Sequence, residues 1–297
     1  MTLDDLLADL PHVTINPVQP LIGAEIAGLD IADVTDQEFA LIHQALLRFK
    51  VVFLRNQTPT RAQHVAFGRR FGTLEVHPLS AHPEFPEMLV LRSFGGMKEG
   101  TAAPAADFWH SDTTFRDTPS AISVLMAHEL PPLGGDTLWS NMVAAYNGLD
   151  DALKQRIETL DAEHTGLIAF GRHLDTPEKQ AGFLSQYPVQ AHPVVRLHPE
   201  TAERMLYVNS GFTNRILGVS DDESASLLRV LFDEVKRPEY QVRFRWEVGS
   251  IAIWDNRSTQ HYGVADYAGW RHLERVTVEG DRPKKAGASR ATMETGS

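Results

Sequence analysis

The sequence predicts an α+β, mainly β protein whose short strands pair over long sequence separations into a sandwich or barrel of Greek-key or jelly-roll type. Three observations lead there. From about residue 108 the segments of strand character are short and punctuated by Gly and Pro. They lie far apart along the chain, so hairpins alone cannot account for their pairing. Helical periodicity interrupts this region only twice, at "MVAAYNGLDDALKQRIETL" (142–160) and "SDDESASLLRVLFDEVKR" (220–237), where Ser220 and Glu223 have the spacing of a capping box.

The first third alternates strands and helices. "IGAEIAGLDI" (22–31) alternates around glycines like a strand and turn, and "TDQEFALIHQALLRF" (35–49) sets Phe39, Ile42, Leu46 and Leu47 at helical spacing behind a Thr35 cap. "KVVFLRNQ" (50–57) is a nearly continuous apolar run, the pattern of a buried strand. "RAQHVAFGRRFG" (61–72) reads as a helix closed by Gly72. Further on, strands are expected within "SAISVLMAHEL" (120–130), "GGDTLWSN" (134–141), "AHPVVRLHP" (191–199), "RMLYVNSGF" (204–212), "QVRFRWEVGSIAIWDN" (241–256) and "RHLERVTVEG" (271–280). With no repeat, long linker or low-complexity block, one domain over residues 1–283 is expected. The small, polar, unpatterned residues 284–297 read as a mobile tail.

Composition narrows the chemistry. The chain of 297 residues has no cysteine, which excludes disulfides, thiolate nucleophiles and thiolate metal sites, so any metal must be held by His and carboxylate. A net charge of -11 argues against a nucleic-acid surface, and no apolar run approaches membrane-spanning length. The acidic start "MTLDDLLADLPHV" lacks the pattern of a secretory signal, so a cytoplasmic location is expected.

In "FWHSDTTF" (108–115) a histidine and an aspartate two apart sit in an aromatic, β-favouring segment. Alternate side chains of a strand share a face, so His110 and Asp112 would point one way and Trp109 and Ser111 the other. The motif alone decides nothing: in a chain with 13 histidines, about one such pair arises by accident. A second, His173-x-Asp175 in "GRHLDTPEK", sits in a polar, turn-prone stretch that suits a metal less than a rigid element does.

The best third ligand is His261 in "IAIWDNRSTQHYGV", where the chain leaves an apolar strand; a hydrogen-bonded loop histidine is its plainer reading. Two histidines and one carboxylate would make the triad of non-haem Fe(II) oxygenases, with positions open for cosubstrate and O2, although the same set can hold zinc in a hydrolase. A jelly roll that binds an anion without turnover is a third possibility. Beyond His261 stand Arg271 and Arg275, four apart and hence on one face of a strand. Facing inward, each would need an anion; facing outward, neither would.

Taken together and in order, "FWHSDTTF", "GGDTLWSN", "VNSGFT", "WDNRSTQHY" and "RHLERVTVEGDRP" resemble the Fe(II)/2-oxoglutarate-dependent taurine dioxygenase family, which also includes phenoxyacetate herbicide dioxygenases and alkylsulfatases. The resemblance runs from "PLIGAEIAGLDI" to about Pro283. It implies a double-stranded β-helix (jelly roll, cupin-like) core with flanking helices. It also implies His110, Asp112 and His261 as iron ligands, with 2-oxoglutarate and O2 as cosubstrates. Thr137 and Arg271 match the residues that hold the far carboxylate of 2-oxoglutarate. A homo-oligomer, dimer or tetramer, is expected from related enzymes.

The resemblance extends to the substrate. His77 in "EVHPLSAH" and Arg275 match the pair that grips the sulfonate of taurine, and Phe170 and Phe212 match two aromatic pocket residues. Three departures stand beside them: Ser80 where the taurine pattern has tyrosine, Ala106 where it has asparagine, and Ala169 where it has serine. Each removes volume or a hydrogen-bonding group, which relaxes selection for a small polar molecule. A small-molecule anion larger than taurine, whether sulfonate, alkyl sulfate or carboxylate, is therefore the expected substrate. The glycine-rich "SFGGMKEGTAAPAAD" (93–107) is the expected lid.

Overall fold

The computed structural model describes residues 2–76, 82–95 and 107–286. Among these, fifteen strands and eight α-helices follow one another. The first half holds α1 (Leu3–Asp9), β1 (Thr14–Pro17), β2 (Ala24–Ala27), α2 (Asp36–Phe49), β3 (Val51–Leu54), α3 (Arg61–Arg69), β4 (Met88–Gly95), β5 (Ile122–Glu129), β6 (Thr137–Asn141), α4 (Met142–Gly148) and α5 (Asp151–Ile157). The second holds β7 (Asp161–His164), α6 (Leu167–Phe170), α7 (Pro177–Gln186), β8 (Gln190–Pro193), β9 (Val195–Leu197), β10 (Arg204–Leu206), β11 (Thr213–Ile216), α8 (Asp221–Glu234), β12 (Gln241–Phe244), β13 (Ile251–Asp255), β14 (Thr259–Gly263) and β15 (Gly269–Thr277).

Two sheets make the jelly roll. The larger runs β1-β2-β3-β13-β5-β15-β4 and the smaller β12-β6-β14, so strands from both ends of the chain lie side by side. Strand β3 shows why every residue of "VVFL" is apolar. Val51 and Phe53 enter the core between the sheets, with Trp139, Phe244 and Trp254, while Val52 and Leu54 enter the core under the helices. A strand buried on both faces has no position left for a polar side chain.

Helix α2 covers that outer core. Thr35 accepts from the backbone N–H of Glu38, whose carboxylate accepts from the backbone N–H of Thr35 at 2.8 Å, closing a full capping box. The helix stops at Lys50, which adopts a left-handed φ of 67°. Its buried stripe is Leu41, Ile42, Ala45 and Leu46, with Phe39 half-buried at the margin.

Several sequence expectations need correction. The expected helix over 142–160 is two, because Asp150 accepts from the N–H of Leu153 and starts α5 afresh. The stretches 191–199 and 241–256 each break into two strands, and the strand in 204–212 ends at Leu206. Helices α6 and α7 add to the interruptions after residue 108. Residues 284–286 are not free tail. The carbonyl of Lys284 accepts from Leu197, Lys285 pairs with Asp161 at 2.8 Å, and Ala286 is buried among α4, β9 and β10 residues.

A buried ionic cluster ties the turn between β13 and β14 to the rest of the molecule. Asp255 accepts from His198 at 2.8 Å and twice from the Arg257 guanidinium, whose remaining nitrogen meets Glu200 at 2.8 Å. Burial pushes the Asp255 carboxyl up, but Arg257 and His198 outweigh it and hold it well below the usual carboxylate range. A hydrogen bond from His43, with Arg257 beside it, holds Glu200 down to about 2.

Both folded values lie below the unfolded ones, so this stability is complete above about pH 4.5 and is lost as pH falls through the folded values. Thermal scans between pH 5 and 2 should show Tm falling. Asp255→Ala should cost about 3 kcal/mol at neutral pH, because it strands a buried guanidinium. An unchanged Tm in that variant would refute this role.

Candidate active site

The segment 108–115 is not the strand the sequence suggests. His110 alone pairs, in a one-residue bridge to His261, and the chain then turns through Thr113, whose φ is 53°. The alternation of faces nevertheless survives. Trp109 packs on Tyr262 with ring centroids 5.7 Å apart and Ser111 donates to the Thr259 carbonyl at 2.7 Å, while His110 and Asp112 face His261. Close packing behind His110 explains the glycine in "NSGF": a Cβ at Gly211 would lie 2.3 Å from the Phe108 ring.

His110, Asp112 and His261 are buried, and each offers a ligand atom within 4.8 Å of the others. Nε2 of each histidine lies 3.9 Å from Asp112 Oδ1. That is too long for a hydrogen bond, so the three converge without satisfying one another, as ligands sharing an ion would. His110 Nδ1–H donates to the Phe108 carbonyl at 2.9 Å, which leaves the Nε2 lone pair facing the site. Burial holds both imidazoles below their ordinary value and hence neutral, the form that binds metal. The donor set of two imidazoles and a carboxylate fits Fe(II).

Asp112 is held from behind. Its Oδ2 accepts from Arg275 at 2.8 Å and from Ser123 at 3.2 Å, and its backbone N–H donates to Asn256 Oδ1 at 3.3 Å. Asn256 in turn donates to Ser123 at 2.9 Å and accepts from the Trp254 indole at 2.8 Å. Burial raises the Asp112 carboxyl, but the Arg275 guanidinium beside it outweighs this and holds it well below the usual range. Sequence reasoning missed Ser123 and Asn256. Asn256 lies inside the motif that carries His261, whereas nothing marks Ser123.

Thr137 opens β6, and Arg271 reaches the glycine turn just before it. Arg271 Nε donates to the Gly135 carbonyl at 3.2 Å, and its guanidinium has no carboxylate partner among the described residues. Partial burial holds its pKa below the ordinary arginine value. Gly134 and Gly135 have φ of 80° and 73°, and a Cβ on Gly135 would sit 3.3 Å from the Arg271 side chain and from Tyr267. The paired glycines of "GGDT" thus make both the turn and the room for the arginine.

Strand β15 does put its two arginines on one inward face, with Glu274 and Val276 on the other. Arg275 reaches Asp112, and its buried Nε has no partner among the described residues. Phe212 lies 6.2 Å from His110 and 5.9 Å from Phe170, ring to ring. Phe108, Phe115, Phe183 and Tyr187 extend that aromatic wall, which the sequence did not foretell. Ala169 is half-buried beside Phe170. His77, Ser80, Ala106 and residues 96–106 of the expected lid lie outside the described residues. His173 and Asp175 are exposed, Asp175 pairing with Lys179 at 2.6 Å, and they join no metal-ligating group among the described residues.

Residues 14–277 match the family model described as Taurine catabolism dioxygenase TauD, TfdA family. The chain is 36% identical to an alkylsulfatase of Acinetobacter baylyi, over 90% of this chain and 87% of that protein. It is 37% identical to an alpha-ketoglutarate-dependent sulfate ester dioxygenase of Pseudomonas putida, over 93% and 94%. Its fold superposes on a taurine dioxygenase structure from Burkholderia xenovorans with a TM-score of 0.78 at 37% identity, covering 93% of this chain and 92% of that one. With a jelly roll, a buried His/Asp/His triad and matches along most of its length, the chain belongs to the TauD/TfdA family of 2-oxoglutarate-dependent dioxygenases.

Proposed function

We propose that this Fe(II)- and 2-oxoglutarate-dependent dioxygenase hydroxylates an organic anion larger than taurine, with sulfate esters foremost, in the cytoplasm and as a homo-oligomer. His110, Asp112 and His261 hold the iron, Thr137 and Arg271 the far carboxylate of 2-oxoglutarate, and His77 and Arg275 the substrate anion. Bound iron with 2-oxoglutarate and O2 supplies the oxidation, in which one oxygen atom enters a substrate C–H bond and the other enters succinate, with loss of CO2. The protein supplies position. Asn256, Ser123 and Arg275 orient the Asp112 carboxylate, and the Phe108 carbonyl keeps His110 in its ligating tautomer. Phe170 and Phe212 offer an apolar wall that excludes water beside the triad.

One observation carries the substrate reading: a half-buried guanidinium with an unpartnered Nε, Arg275, stands against the triad at Asp112, and an aromatic wall adjoins the same triad at His110. An anionic head with an apolar body fits that setting, and two relatives named for alkyl sulfates and sulfate esters match the chain across most of its length. Zinc hydrolysis and silent anion binding lose ground, since neither uses a second anion clamp at Arg271. Succinate release should be compared for hexyl sulfate, hexanesulfonate, phenoxyacetate and taurine. Hexyl sulfate should exceed taurine about 10-fold or more in kcat/KM; taurine as the best substrate would refute the relaxed pocket.

A further inference from the structure

The geometry points to Trp246 as a positioning residue for 2-oxoglutarate, acting through the hydroxyl of Thr137; the inference rests on Thr137 being the cosubstrate residue. The Trp246 indole N–H donates to Thr137 Oγ1 at 3.0 Å, in a buried setting. An indole N–H can only donate, and a hydroxyl has one proton and two lone pairs. With a lone pair taken by the indole, the Thr137 proton is turned away, and it finds no acceptor among the described residues. Thr137 is left to act as a donor. A carboxylate only accepts, so this hydroxyl, two residues after the Gly135 carbonyl that Arg271 contacts, is set for a carboxylate before one arrives.

Trp246 is itself fixed. Its ring meets Phe244 edge-on with centroids 5.1 Å apart and tilts against Trp139 at 6.4 Å. Trp139 supplies a built-in control: it is as deeply packed, in the same aromatic core, yet its indole nitrogen has no hydrogen-bond partner among the described residues. Removing either ring edge disturbs packing, but only one removal touches the hydroxyl.

The test is the Kd of 2-oxoglutarate on the anaerobic Fe(II) protein, read from its visible absorption band, for Trp246→Phe, Trp139→Phe, Thr137→Val, Thr137→Ser and the Trp246→Phe/Thr137→Val pair. Trp246→Phe and Thr137→Val should each weaken binding about 2- to 10-fold, the loss of one hydrogen bond. The double variant should be no weaker than Thr137→Val alone, and Trp139→Phe and Thr137→Ser should bind as the parent does. The KM for the organic anion should not move. If Trp246→Phe binds normally while Thr137→Val does not, the inference fails and the cosubstrate reading stands. If Trp139→Phe weakens binding equally, or the two losses add, Trp246 acts by packing and the inference fails. If Thr137→Val binds normally, both fail.

Discussion

Asp112→Ala is expected to abolish 2-oxoglutarate-dependent succinate formation, a loss of well over about 100-fold, since removing even an outer partner of a metal ligand costs about 10- to 100-fold. The carboxylate is the only anionic donor in the triad, and two imidazoles alone hold a divalent ion weakly. Its removal has a second effect. The Arg275 guanidinium, now facing the site without its 2.8 Å partner, loses the contact that aims it. Iron content after Fe(II) loading should therefore fall together with activity, and Asp112→Asn should not restore either. Full iron occupancy with normal succinate release in the alanine variant would place the metal elsewhere.

Arg271→Leu carries the second large effect, with opposite signs for binding and stability. The guanidinium lies half-buried beside Gly135 without a carboxylate partner among the described residues. Removing one partner of a desolvated charge pair costs about 2–5 kcal/mol, so the affinity for 2-oxoglutarate should fall about 30-fold or more. Without cosubstrate, replacing an unpaired, half-buried charge by an apolar side chain should leave Tm unchanged or raised. Thermal scans with and without 2-oxoglutarate separate the two effects: the parent gains Tm on adding ligand, and the variant should not. A variant that still gains as much would remove Arg271 from the cosubstrate site.

What could be read in the sequence was mostly local or shared with relatives. The Thr35 cap, the stripe of α2 and the doubly buried run 51–54 follow from periods and caps contained in a few residues. The triad was different. His110 and His261 are about 150 residues apart, and only motif order brought them into one hypothesis. The geometry of 108–115 escaped for a related reason: its β-like composition serves a single bridge to a distant segment rather than a ladder. Polar partners such as Ser123 were invisible, because a serine in an apolar strand looks the same whether or not it meets a carboxylate. The aromatic wall escaped likewise, since Phe108 lies about 75 residues before the α7 segment that carries Phe183 and Tyr187.

The bridge between the two histidines has a consequence for how the ion is acquired. His110 N–H donates to the His261 carbonyl at 3.1 Å and His261 N–H returns the bond to His110 at 2.7 Å, so the backbones of two proposed ligands are stapled by the fold itself. The entropy of bringing them together is spent when the chain folds, leaving little for the ion to organise. Metal exchange should then resemble the loading of a rigid chelator: the apoprotein stays folded, and Fe(II), Mn(II) or Co(II) enter and leave at rates set by their own ligand chemistry rather than by refolding of the chain.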